Sequence, residues 1–278
     1  MKSLPKIALL ATVSSLALAG TASAAVTGLE INTTKSEFNS LFAKLERPKC
    51  SPGKQVLGGG ARIFNGQGQV TIDGVTPNDL DPRGTLIEAR EDQDGLASDW
   101  NVRAFAVCAD PLPGYQVVSG ESPATSSDKG VAVNCPSGKK LVGLGARLLG
   151  TSGRASITQL RPSSNLQGMR VDAAEIGAGF PSTWTVQGFA VCANPPQGLV
   201  LRSAASPFDS VDSKSSSAAC FPGEQALGGG GEIAGSLGRV ALKELSPTNS
   251  AITVAAEESQ DHAANNWIVR SHVICAAA

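Results

Sequence analysis

The segment Trp100-Asn101-Val102-Arg103-Ala104-Phe105-Ala106-Val107-Cys108 places Trp100, Val102, Ala104, Ala106 and Cys108 on one face of an extended chain. Strict alternation over this length predicts a β-strand. The even spacing of eight puts the tryptophan and the cysteine on the same inward side. The other face begins polar at Asn101 and Arg103 and turns apolar at Phe105 and Val107, so the strand enters a two-sided core. The pattern occurs twice more, as Trp184, Val186, Gly188, Ala190, Cys192 and as Trp267, Val269, Ser271, Val273, Cys275.

The repetition extends upstream. Nine residues before each tryptophan stands a glutamate, Glu91, Glu175 or Glu258, two residues after an alanine. A proline precedes that (Pro77, Pro162, Pro247), and before it a glycine-rich phrase. Cys50-Ser-Pro-Gly53 leads to Leu57-Gly58-Gly59-Gly60-Ala61. Cys135-Pro-Ser-Gly138 leads to Val142-Gly143-Leu144-Gly145-Ala146, and Cys220-Phe-Pro-Gly223 to Leu227-Gly228-Gly229-Gly230-Gly231. Cys50, Cys135 and Cys220 are spaced 85 and 85 residues apart. A fixed period of this length marks a repeat architecture. The units run over 28–113, 114–197 and 198–278, with Pro-rich joints at Pro111–Pro113 and Pro195–Pro196.

About five short strands are expected per unit, in the first near 28–32, 55–63, 69–75, 84–90 and 100–108. The fold class is therefore all-β: three pseudo-equivalent units in a prism-like, pseudo-threefold assembly of three small sheets sharing one core. The alternative is three separate small β domains in tandem. Unit 1 departs from the others over 36–46, where Phe38, Leu41, Phe42 and Leu45 fall at i, i+3, i+4, i+7 behind Ser36. That spacing predicts a short amphipathic helix, a lid over an open end of the sheets.

The chain opens with Lys2 and Lys6, continues apolar from Ile7 to Ala19 and reaches Ala22-Ser23-Ala24. This is the order of a secretory signal peptide, expected to end at residue 24. The apolar run is short of the ~20 residues that cross a bilayer. Without residues 1–24 the chain carries 21 Lys+Arg (23 less Lys2 and Lys6) against 24 Asp+Glu, a formal charge of −3. That balance argues against nucleic acid and against anionic membrane surfaces as partners. Abundant glycine and scarce aromatics suit short strands joined by turns. An exported chain with six cysteines is expected to pair them. Fifteen pairings of six cysteines exist. Equivalence of the units selects Cys50–Cys108, Cys135–Cys192 and Cys220–Cys275.

No catalytic constellation emerges from the motifs. The glycine phrase lacks the G-x-x-x-x-G-K-[ST] or G-x-G-x-x-G context of a phosphate loop, and reads as glycine where another backbone lies close or a bulge bends the sheet. The cysteines lack C-x₂₋₄-C spacing, so no metal site is expected, and no cofactor. His262 and His272 both lie in the last unit, His272 where the other copies have Phe105 and Phe189. No G-x-S-x-G is present, and Ser126-Ser-Asp-Lys129 matches S-x-x-K without its companion motifs. Each tryptophan is expected to be buried beside its unit's disulfide. Glu91, Glu175 and Glu258 are the candidate ligand or structural carboxylates. A glycosidase needs two carboxylates in unlike surroundings, and three equivalent acids do not supply them. Buried charge is rarely left unpaired, so these acids are expected to meet an indole N–H or free backbone N–H groups.

Cys-x-x-Gly, Gly-Gly-Gly-Ala, Trp and a closing Cys together resemble the repeats of a group of exported bacterial proteins, over nearly the whole chain after residue 24. That resemblance carries no activity with it. In plan, a triplicated β unit with a disulfide is also similar to the β-prism proteins of the vitelline membrane outer layer type. The expectation is a secreted, extracellular, non-enzymatic structural or binding protein at the cell surface or in the extracellular matrix, contacting a glycan or another protein. An inhibitor or toxin-like effector is the alternative, and a polysaccharide hydrolase stands behind both.

Overall fold

The structure is a computed structural model that describes residues 24–77, 83–177, 179–235, 238–260 and 265–278. The signal peptide expected over 1–24 lies outside the described residues up to residue 23, as does His262. The described residues form strands and no helix. Unit 1 contributes β1 (Glu30–Lys35), β2 (Ala43–Glu46), β3 (Gln55–Phe64), β4 (Val70–Pro77), β5 (Thr85–Glu91) and β6 (Asn101–Ala109). Unit 2 contributes β7 (Gln116–Glu121), β8 (Lys129–Asn134), β9 (Lys140–Leu149), β10 (Ala155–Pro162), β11 (Gly168–Glu175) and β12 (Thr185–Ala193). Unit 3 contributes β13 (Val200–Ala205), β14 (Ser213–Ala219), β15 (Glu224–Ala234), β16 (Val240–Pro247), β17 (Ala251–Glu258) and β18 (Ile268–Ala277).

These strands make three six-stranded antiparallel sheets, ordered β1-β6-β3-β16-β17-β14, β13-β18-β15-β10-β11-β8 and β2-β5-β4-β9-β12-β7. Each sheet takes three strands from one unit and three from another, so the sheets link units 1 and 3, 3 and 2, and 2 and 1 in a cycle. Domains in tandem would keep their sheets to themselves. The principal core draws on all three units, with Trp100, Trp184 and Trp267 at 0%, 1% and 0% exposure.

The seams between units are short. β3 meets β16 only at Arg62↔Glu244 and Ala61↔Leu245, and β9 meets β4 only at Arg147↔Gly74 and Ala146↔Val75. β15 meets β10 only at Glu232↔Gln159 and Gly231↔Leu160. Here the glycine phrase finds its reason. A Cβ on Gly60, Gly145 or Gly230 would lie 1.9, 2.1 or 1.9 Å from the carbonyl oxygen of Leu245, Val75 or Leu160 across the seam. Gly58 and Gly228 sit at the register shifts of β3 and β15, next to a second, smaller core that contains Leu57, Val142 and Leu227.

The cycle closes without a covalent joint between units 3 and 1. The N–H of Asp110 donates to Thr27 O (3.0 Å), that of Asn194 to Pro113 O (2.9 Å) and that of Ala277 to Gln197 O (2.9 Å). Residues 26–28 thus stand where a third joint would. Val26, 2% exposed, donates its N–H to Ala277 O (3.2 Å).

Two expectations are corrected. Each unit has six strands rather than five, because the segment before the first cysteine is itself a strand. In unit 1 this replaces the helix expected over 36–46. Asn39 forms an isolated bridge with Trp100, and Ala43–Glu46 pairs with β5 as β2. The helical spacing of Phe38, Leu41, Phe42 and Leu45 misleads because none of them reaches the core; they are 56%, 63%, 42% and 51% exposed. The side chain that goes inward is Lys44, 5% exposed. Ladder hydrogen bonds to β5 satisfy the backbone that a helix would have satisfied internally.

Candidate functional site

The repeated polar residues meet at one end of each unit. The turn after β5 carries the chain from Glu91 to Trp100, so the carboxylate and the indole that opens the next strand face each other. Trp100 Nε1 donates to Glu91 Oε1 (2.7 Å), Trp184 Nε1 to Glu175 Oε1 (2.9 Å) and Trp267 Nε1 to Glu258 Oε1 (2.7 Å). In units 1 and 2 the second oxygen is also engaged, by Leu96 N at 3.0 Å and by Phe180 N at 2.9 Å. Glu91 and Glu258 are buried and Glu175 half-buried.

A third residue completes each constellation. Lys44, Lys129 and Lys214 place their ammonium groups 4.6, 3.5 and 4.5 Å from the ring centres of Trp100, Trp184 and Trp267. The indole is thereby held at its edge by a carboxylate and on its face by a cation, an attraction worth roughly 0.5–2 kcal/mol according to solvation. The ammonium protons find further acceptors. Lys44 donates to Asn39 Oδ1, Lys129 to Thr125 O (2.6 Å) and Trp184 O (3.0 Å), and Lys214 to Asp209 O and Trp267 O (both 2.5 Å). Loss of hydration lowers the pKa of Lys44 against the pull of Glu91, Asp99 and Glu37. The same cause lowers that of Lys129 against Glu175 and Asp128.

A serine latches the same end. Ser36, Ser122 and Ser206 accept at Oγ from the N–H of Val102, Val186 and Val269 at 3.0, 3.0 and 3.1 Å. The lysines were legible in the sequence, since each stands six residues before its unit's first cysteine. A lysine before a serine-rich or helix-like stretch reads as solvated surface, and only the tryptophan beneath reveals its role.

Disulfides join Cys50 to Cys108, Cys135 to Cys192 and Cys220 to Cys275. They lie at the far end of the strands that the tryptophans open, so each tryptophan is buried beside its glutamate and lysine and not, as expected, beside the disulfide. Glu224 lies near Cys220 and Cys275, but both sulfurs are spent in the bridge and offer no thiolate to a metal. His272 Nδ1 and Ser203 Oγ are 2.7 Å apart across β18 and β13, with Glu232 Oε2 3.9 Å from the other ring nitrogen. These three side chains belong to adjacent strands of one sheet face. Among the described residues no helix is long and apolar enough to cross a membrane.

The three copies agree inside and differ outside. Phe38 and Leu41 of unit 1 correspond to Phe208 and Val211 of unit 3, which are 62% and 57% exposed. Unit 2 has Ala124 and Ser126 in this loop. Comparison with protein-family models gives no match, and neither does comparison with curated proteins.

Proposed function

We propose that the protein is a secreted, non-enzymatic structural or binding protein of the cell surface or extracellular matrix, contacting a glycan or another protein. The observation that carries this reading is the exposed run Phe38, Leu41, Phe42 and Leu45 on the β1–β2 loop and edge strand β2. Large apolar side chains held together in water mark contact surfaces on soluble proteins. The fold supports the role. Three disulfides are typical of extracellular proteins, and the conserved-in-triplicate polar groups are taken up by contacts within each unit. Cleavage after Ala24 would leave Val26 and Thr27 in place to close the cycle.

The test is retention on the envelope and matrix of the producing cells. Phe38→Ser with Leu41→Ser is expected to release the purified protein from that material while leaving thermal stability within about 0.5 kcal/mol, as for other surface changes. Retention unchanged by this pair and by Phe208→Ser with Val211→Ser would remove the loops as the contact surface. A wild-type protein that is not retained at all removes the reading itself.

A further inference from the structure

The seam between units 1 and 2 has an outer face, and there β4 of unit 1 runs beside β9, β12 and β7 of unit 2. A groove of about 340 Å³ lies on it. This is at the small end of the about 300–1,000 Å³ typical of small-ligand sites. Its presence follows from the seam geometry. Gly145 lies beneath the crossing of Val75 and Pro77 and carries no side chain, and Phe189 pairs with Gly145 on one side and Ser119 on the other. An aromatic ring is thus flanked by two of the smallest residues.

We infer that this groove binds a neutral saccharide through Phe189, Gln187, Ser119 and Arg147. The inference rests on the proposed binding role and names a ligand class for a second surface, away from the apolar loop. Phe189, Pro77 and Val117 supply apolar lining. Such a surface suits the C–H face of a sugar ring. The polar lining is Thr76, Ser119, Arg147 and Gln187, groups that together donate and accept.

Several of these groups lack partners. Thr76 is 3% exposed, and its Oγ1 makes no hydrogen bond within the protein. No side-chain hydrogen bond of Ser119 or Gln187 occurs among the described residues. Arg147 Nε lies 2.8 Å from Glu88 Oε2, off the line that a hydrogen bond needs, so the pair is ionic and the N–H has no acceptor. Thr76 Oγ1 and Arg147 Nε are shielded beneath the groove, so the unpartnered groups that a ligand meets are the Ser119 hydroxyl and the Gln187 amide beside Phe189. Glu88 already balances the guanidinium charge, so a polyhydroxylated neutral ligand fits better than an anion.

The seam of units 2 and 3 forms an internal control. At seam 2–3 the positions of Thr76, Arg147, Gln187 and Phe189 hold Arg161, Glu232, Arg270 and His272. There Glu232 pairs with Arg270 at 3.1 Å, and His272 with Ser203, so the polar groups use one another.

The experiment is calorimetric and saturation-transfer NMR titration of the full mature protein. The probes are the neutral hexasaccharides of β-1,4-glucose, α-1,4-glucose, β-1,4-N-acetylglucosamine and β-1,4-mannose. At least one is expected to bind. Phe189→Ala and Gln187→Ala should each weaken it about tenfold or more, the scale of losing one good contact. Ser119→Ala should weaken it several-fold without lowering the melting temperature, because the lost hydroxyl has no partner in the free protein. His272→Ala should leave affinity within about twofold, being distant from the groove. Binding to none of the four, or binding untouched by Phe189→Ala, Gln187→Ala and Ser119→Ala, overturns the inference. Retention on cells persisting in either case leaves the broader binding role standing, and its loss in the loop variants alone keeps the two claims separate.

Discussion

Inside each unit the same contacts are made three times, and on the outer faces of the seams no two copies agree. Glutamate, tryptophan and lysine meet with indole–carboxylate distances of 2.7, 2.9 and 2.7 Å. The outward seam pairs are Gly74 with Arg147, Gln159 with Glu232 and Glu244 with Arg62. Their charges are balanced in three ways: Arg147 by Glu88, Glu232 by Arg270, and Arg62 by Glu244. A polar residue kept in every copy is therefore here a residue with an internal partner. Divergence marks the places where solvent or a ligand, rather than the repeat, sets the chemistry.

If the interior copies are equivalent, the largest perturbation should cost the same wherever it is made. Replacing both cysteines of one bridge by alanine is expected to lower stability by about 4 kcal/mol from loop entropy alone. The sequence separations of 58, 57 and 55 leave little room for difference between units. Denaturant melts of the three double variants measure this, and a spread of several kcal/mol would break the equivalence.

The seam glycines come next. Gly145→Ala puts a methyl 2.1 Å from Val75 O, whereas Gly58→Ala meets nothing nearer than Leu144 O at 3.8 Å. The first should cost about 3 kcal/mol and the second under 1 kcal/mol, the cost of overpacking against that of a tolerated change. Equal melting temperatures for the two variants would show that the seam yields without loss.

A loss of stability with rising pH should arise at the seam of units 1 and 2. Burial, opposed by Arg90, raises the pKa of Asp73 from 3.8 to about 6. Arg90 Nε lies 3.2 Å from Asp73 Oδ2. The unfolded chain then loses this proton first as pH rises, so the folded state binds more protons between about pH 4 and 6. Stability from this residue falls across that window, by roughly 2–3 kcal/mol in all. The matching bulge residues are Thr158 and Lys243, which supply no such carboxylate. Asp73→Asn should flatten the pH dependence of the melting temperature from pH 4 to 6. A variant with the same slope as the wild type would remove Asp73 as its origin.

The smallest expected effect concerns the shared constellation. Glu175→Ala leaves the Trp184 and Phe180 N–H groups without their acceptor and should cost about 1–3 kcal/mol. Glu175→Gln keeps one oxygen for the indole and should cost less than half as much. Thermal melts of both, with Glu91→Ala and Glu258→Ala beside them, test whether the three sites behave alike. Unchanged melting in all three alanine variants, with loss of cell retention, would turn these acids into binding residues.

How far the sequence could be read depends on the range of the interaction. The eight residues between Glu91 and Trp100 form one turn and its flanks, so their meeting is local and expected. The disulfides follow once the units are equivalent. Lys44 was missed because its apolar neighbours imitate a helix, and nothing near it in the chain announces a tryptophan 56 residues later. The groove at seam 1–2 was equally out of reach, since Thr76 and Phe189 belong to different units and approach only when β4 crosses Gly145.

The chain's own periodicities determine the unit, five of its six strands, the inward face that tryptophan and cysteine share and the three bridges, because alternation and an 85-residue repeat are written into neighbouring residues. Only the tertiary structure decides that the units share their sheets. Two residue pairs make each seam, too few to leave a pattern in sequence. The trace that remains is a glycine at 60, 145 and 230, required because a carbonyl oxygen of another unit occupies the space its side chain would need.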